Sequence, residues 1–219
     1  MSRIAVLASG SGTNLQALLD ADLGPGRIAV VLSNHPDAGA LARAARAGVA
    51  TEVVEHGGKA RRHFDAEVVT RLRAHEVEWV VFAGFMRIVT EVLIDAFDGR
   101  LVNIHPALLP AFPGMDGQGQ AFTAGVKIAG CTVHLVDGGV DTGPVLAQAA
   151  VPVLPEDDLE RLRRRILAAE HRLYPAVVRG LAEGRLRRDG RRAWLDGLGA
   201  DPEGVLTSGV DPGDLPGPA

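Results

Sequence analysis

The sequence predicts an α/β protein, an open and mostly parallel sheet flanked by helices. Short Val-, Ile- and Leu-rich runs alternate along the chain with Ala-, Leu- and Arg-rich stretches of helical period, which is the pattern of βαβ units. Most of these runs lack apolar–polar alternation, as strands covered on both faces should. A chain of 219 residues that is 47% hydrophobic and 23% charged also carries enough apolar material for one large core.

Taken in order, the first strand spans Arg3 to Ala8 and runs into Ser9-Gly10-Ser11-Gly12-Thr13-Asn14. A helix from Asn14 to Ala21 follows, with Thr13 or Asn14 as its expected N-cap. Strands are expected at Ile28 to Ser33, Thr51 to Val54, Trp79 to Phe82, Leu101 to Ile104, Gly130 to Leu135 and Val145 to Val153. Between them, helical period marks Gly39 to Ala47, Ala60 to His75, Thr90 to Ala96 and Gly119 to Ala124. A long helix covers Asp157 to Glu183, and Pro175 is expected to kink or interrupt it after Tyr174. Arg185 to Trp194 is a short Arg-rich hairpin candidate. Residues 1–195 read as one domain.

Residues 196–219 read as a disordered acidic tail, because ten of these 24 are Gly or Pro. The tail holds Asp196, Asp201, Glu203, Asp211 and Asp214 and no Lys or Arg, so the net charge of −4 becomes +1 over the first 195 residues. A near-neutral body argues against a nucleic-acid partner. No apolar run suits a membrane span, and the short run Ile4 to Ala8 leads into Ser, Gly and Asn rather than a cleavage site. The single Cys131 and scattered His residues give no metal-ligand spacing. These features predict a cytoplasmic protein without a metal.

In open parallel sheets ligands bind beyond the carboxyl ends of the strands. After the first strand, Gly10 and Gly12 allow several backbone N–H groups to face one anion at a helix start. A dinucleotide site would need a third Gly where Leu15 stands, and a Walker loop would need Lys-Ser or Lys-Thr where Thr13-Asn14 stands. The remaining reading is a cradle for one phosphate ester, with Arg61 or Arg62 as a second contact. Asn103 and His105 sit two apart at the end of the fifth strand, facing the same side, ahead of a loop stiffened by Pro106, Pro110 and Pro113. The Gly-rich turn Asp137 to Pro144 offers Asp141. An amide donor, an imidazole and a carboxylate, with no nucleophile elbow, suit acyl-type transfer between two bound substrates.

The motifs VLASGSGTNLQALLDA, VVFAGFMRIV, LVNIHPALLPAFPG, GCTVHLVDGGVDTGPVLAQ and EHRLYPAVV together resemble the phosphoribosylglycinamide formyltransferases, folate-dependent enzymes of purine biosynthesis. The resemblance implies a formyltransferase-like Rossmann-type architecture, with the ribonucleotide in the N-terminal half and folate in the C-terminal half. It implies transfer of a formyl group from 10-formyltetrahydrofolate to 5-phosphoribosylglycinamide by a monomer or homodimer. By the same resemblance Asn103, His105 and Asp141 are catalytic. Gly12, Thr13, Asn14, Arg61 and Glu170 bind the substrate. Met86, Arg87, Ile88, Val89, Asn103, Asp137, Gly138, Gly139, Val140 and Asp141 bind the folate.

One stretch departs from the family pattern: Met115 to Ala121 lacks a His-x-His-Arg-Gln-Ala run and carries Gly117 and Gly119 instead. The expectation is a floppier lid or weaker substrate affinity. Two related activities also fit part of the pattern. A methionyl-tRNA formyltransferase needs a tRNA-binding addition, and only the Arg185 to Trp194 hairpin offers one. A formyltetrahydrofolate hydrolase usually has a preceding domain, whereas Met1 lies two residues from the first strand. A non-catalytic nucleotide-binding module would give Asn103, His105 and Asp141 no purpose, and Arg161, Arg164 and Arg165 fit the wet face of an amphipathic helix.

Overall fold

The computed structural model describes residues 1–198 and 206–208. Strands β1 (Ser2–Leu7), β2 (Gly26–Ser33), β3 (Ala50–Val53), β4 (Trp79–Phe82) and β5 (Leu101–His105) run parallel in the order β3-β2-β1-β4-β5. Beyond β5 the sheet turns antiparallel through β6 (Ile128–Leu135) and β7 (Val145–Pro152). Helices are α1 (Thr13–Asp20), α2 (Gly39–Arg46), α3 (Arg61–Ala74), α4 (Glu91–Ala96), α5 (Gly117–Thr123) and α6 (Leu159–Ala182). The Arg-rich segment forms the hairpin β8 (Leu186–Asp189) and β9 (Arg192–Leu195), and β10 (Leu206–Ser208) pairs antiparallel with β7.

Each central strand feeds two cores, one per face. Ile4, Val6, Val31, Val81, Val102, Ile104 and Val133 point to the side covered by α1, α2, α5 and α6. Ala5, Leu7, Leu32, Val80, Phe82 and Leu101 point to the side of Phe64, Val68, Leu72 and Leu93. The absence of alternation in the sequence follows from this two-sided burial. Because Val102 and Ile104 take the first side, Asn103 and His105 take the second. The apolar residues Leu93 and Phe97 are buried in that second core.

Pro175 does not break α6, which runs for 24 residues. The proline leaves the His171 carbonyl without its helical donor, a cost of roughly 3 kcal/mol in an exposed helix. It lies on a face where Tyr174, Pro175, Val177 and Val178 are all buried, and packing on both sides of the proline outweighs that cost. Tyr174 further ties α6 to the sheet, its hydroxyl lying 2.8 Å from the Phe82 carbonyl and 3.2 Å from that of Val102. Most of the segment read as a tail falls outside the described residues. Within it, Asp196 is bridged to Arg187 at 2.8 Å and Leu198 packs on the core.

Candidate active site

The strand order places β1 beside β4, the point where successive crossovers diverge to opposite halves of the sheet and a crevice opens. Ser9 bridges its two sides. Its N–H donates to the Gly84 carbonyl at 3.0 Å, and its hydroxyl accepts from Met86 N–H at 2.9 Å.

On the β1 side, Gly12 is the N-cap of α1 in the left-handed region, φ 75° and ψ 35°, and no side chain caps the helix. Thr13 and Asn14 are therefore helical residues rather than caps. A side chain at Gly12 would place Cβ 2.7 Å from Ala40 Cα, so close packing of α2 demands glycine there. Freed from capping, Asn14 donates from Nδ2 to Glu170 Oε2 at 2.8 Å, while its Oδ1 is buried without a partner. Glu170 is 5% exposed. Burial pushes its carboxyl up to about 7, against the opposing pull of the Asn14 hydrogen bond.

On the other side lies a cleft of about 660 Å³ lined by the ends of β4, β5 and β6 and by the turn after β6. Asn103, His105 and Asp141 all reach it. His105 Nδ1 is 3.3 Å from Asp141 Oδ2, and His105 Nε2 donates to the Phe112 carbonyl at 2.8 Å. With Nε2–H committed to a carbonyl, Nδ1 meets Asp141 favourably when the ring is protonated. Asp141 sits at φ 54°, a costly conformation for a non-glycine residue, and Gly114 N–H donates to its Oδ2 at 2.8 Å. Burial raises its carboxyl, yet His134, the Gly114 N–H and His105 together hold it below the usual carboxylate value.

Asp137 shapes the turn, accepting from Gly139 N–H at 3.1 Å and from the Thr142 hydroxyl at 2.6 Å. Asp137, Gly139 and Val140 line the cleft, as do Met86, Arg87, Ile88 and Val89; Gly138 does not. Met86, Ile88 and Val140 are 66%, 59% and 48% exposed, an apolar rim with no internal partner. Arg87 stacks over the Phe64 ring at 4.2 Å. Arg61 lines this cleft. It stands one turn before Phe64 on α3, and Phe64 stacks on Phe85 at 6.4 Å, so the helix start leans toward Arg87.

Three further site features went unread in the sequence. His134 is 2% exposed, pairs across the ladder with Asn103, and its Nε2 lies 3.2 Å from Asn103 Nδ2. Phe112 and Gly114 supply backbone groups to His105 and Asp141. Where a floppier lid is expected the chain starts a capped helix: Asp116 at φ 54° caps α5 through Gly119 N–H, and Arg163 of α6 holds Asp116 at 2.9 Å. Gly119 leaves room for that cap, since a Cβ there would lie 2.1 Å from Asp116 Oδ2 and the Asp116 side chain would have to move. Among the described residues no group of three or more His, Cys, Asp or Glu could hold a metal, and no helix is long and apolar enough to cross a membrane.

A family model described as formyl transferase matches residues 2–178. The chain belongs to the formyl transferase family. Among family members, the phosphoribosylglycinamide formyltransferase of Bacillus subtilis is 42% identical over 83% of this chain and 95% of its own length. The trifunctional purine biosynthetic protein adenosine-3 of Drosophila pseudoobscura pseudoobscura is 48% identical over 85% of this chain, which spans only 14% of that longer protein. The solved glycinamide ribonucleotide transformylase 1 of Symbiobacterium toebii superposes with a TM-score of 0.87 at 54% identity, covering 89% of this chain and 94% of that one. The α/β fold of the formyl transferases is thus this chain's fold.

Proposed function

We propose that this chain transfers the formyl group of 10-formyltetrahydrofolate to the amine of 5-phosphoribosylglycinamide in purine biosynthesis, in the cytoplasm. The observation that carries the reading is the meeting of Asn103, His105 and Asp141 in one cleft of a formyl transferase. In this reading the pterin packs against Met86 to Val89 and the turn Asp137 to Asp141, with Arg61 and Arg87 toward the anionic end of the folate. The ribose phosphate meets the N–H groups of Gly12, Thr13 and Asn14, where the helix dipole favours an anion, and Glu170 faces the glycinamide.

The substrate amine attacks the formyl carbon, forming an N–C bond as the carbonyl electrons move to oxygen. Asn103 donates to that oxyanion, a role worth on the order of 10²–10³ in rate. With Nε2–H held by the Phe112 carbonyl, the Nδ1–H of protonated His105, shared with Asp141, is the proton given to the departing folate nitrogen as its bond to the formyl carbon breaks, worth roughly 10²–10⁴. The proton lost by the attacking amine passes back to the His105 imidazole, so the enzyme ends unchanged. The test is formyl transfer by the purified protein beside His105→Ala and Asp141→Asn. The parent should turn over, and each variant should lose at least ~100-fold in kcat with substrate affinity little changed. Losses confined to KM would remove both residues from the chemistry.

A further inference from the structure

Period-2 geometry sends Cys131, Val133 and Leu135 into the first core, so Thr132 and His134 of β6 face the same side as Asn103 and His105. The antiparallel register sets His134 directly opposite Asn103. From this juxtaposition we infer that His134 is a positioning residue: a neutral imidazole that fixes the orientation of the Asn103 amide. The inference rests on the proposed role of Asn103 as oxyanion donor.

With the ring neutral, the hydrogen bonds leave one self-consistent arrangement. His134 Nδ1 lies 2.8 Å from the Leu135 carbonyl; a carbonyl only accepts, so Nδ1 carries the proton. In the neutral ring Nε2 is then a lone pair. The Asn103 nitrogen, 3.2 Å away, only donates. One of its two hydrogens is thereby spent on His134, and the other is left for the cleft that Asn103 lines. Asp141 Oδ1 stands 3.6 Å from the same Nε2, farther than the Asn103 amide; a proton on Nε2 would turn the ring toward Asp141 instead, and the acid limb of kcat reads that outcome.

The need for such a partner comes from the amide itself. Its oxygen and nitrogen are almost the same shape, and half a turn about the last side-chain bond exchanges them. An unpartnered Asn103 would spend part of its time presenting oxygen to a developing oxyanion, which repels it. A buried acceptor that itself cannot turn, because its far nitrogen is bound to backbone, removes that state before substrate arrives. This is preorganisation supplied through a second residue.

The test is a double-mutant cycle on the full chain with Asn103→Ala, His134→Leu and the pair, and His134→Gln as the variant that restores an acceptor. His134→Leu should lower kcat about 10- to 100-fold, part of the effect of one oxyanion donor, with KM for both substrates within about 3-fold. His134→Gln should recover most of that loss. In the Asn103→Ala background the His134→Leu loss should shrink to about 2-fold or less. An undiminished loss in that background overturns the inference. So does an upward shift of the acid limb of kcat on replacing His134, which would place its action on the Asp141 charge. Independently of turnover, proton NMR of the parent should show one slowly exchanging Asn103 side-chain hydrogen that is lost in His134→Leu. Two equally fast-exchanging hydrogens in the parent would overturn the inference even if His134→Leu failed to fold. Absence of formyl transfer with the protected hydrogen present would instead strike the functional reading alone.

Discussion

Glu170 shows how one buried side chain can trade stability for recognition. Its carboxyl titrates at about 7 in the folded protein, above its ordinary 4.5, because burial disfavours the charged form. The native state therefore keeps a proton that the unfolded chain gives up. Stability from the neutral acid is complete below pH 4.5 and is lost as pH rises toward 7. Glu170→Gln should remove that dependence. Urea melts should find the variant about 1–3 kcal/mol more stable than the parent at pH 8 and equal to it at pH 4.5, while binding of the amine substrate weakens. Equal stabilities at pH 8 would mean that Glu170 is solvated in the folded protein. Asp141 has the opposite shift, below its ordinary value, so it stays charged through the whole working range. Its contribution to stability disappears only as pH falls through that depressed value.

At the level of elements, the reactive groups owe their geometry to neighbours that do no chemistry. Buried Thr132 on β6 donates to the Ala107 carbonyl at 2.7 Å and accepts from Leu109 N–H and Gln148 Nε2, both at 3.0 Å. These bonds pin the loop whose Phe112 carbonyl accepts the hydrogen bond of His105 Nε2–H. Thr132→Val keeps the shape and removes the hydroxyl. With buried partners left unsatisfied it should cost about 1–3 kcal/mol, a fall in melting temperature of roughly 3–10 °C for a chain of this size, and some turnover. An unchanged melting temperature would show that the loop is held by other means. The Asp116 cap makes a related prediction. Gly119→Ala forces Asp116 off α5 and away from Arg163, so it should destabilise by about 1 kcal/mol and raise KM for the folate, the residue whose missing side chain suggested looseness being the one that permits order. An unaltered KM would uncouple the α5 start from the cleft.

Across the whole molecule, the two cores hold the sheet rigid while the cleft wall is made of turns with exposed apolar side chains, Met86, Ile88, Met115 and Val140. A folate analogue that covers them binds the native state alone. At 100 times its dissociation constant it should add about 2.7 kcal/mol, a rise in melting temperature of roughly 5–10 °C at this chain length. Hydrogen exchange should slow at residues 84–89 and 137–142 and stay constant in β1. Protection spread evenly over the sheet would argue that binding reorganises the frame as well as the rim.

Much of this was legible in the sequence. Hydrophobic period marked the seven main strands and six helices, because two-sided burial leaves its trace in every residue of a short run. Asn103 and His105 were readable as a pair because a strand alternates its sides, and Asp141 because a Gly-rich turn longer than closure requires asks for another purpose. Other features depended on contacts across the chain. Pro175 looked like a break because the cost is local and the compensating packing is not. Gly119 looked slack because Asp116 occupies the missing side chain's place. His134 carried no signal of its own in the sequence, since only the β5–β6 register sets it against Asn103. The order of side chains along the chain determined which elements form and which faces they bury; which side chains meet across those faces was decided by the pairing and docking of elements, whose energies are summed over residues distant in sequence.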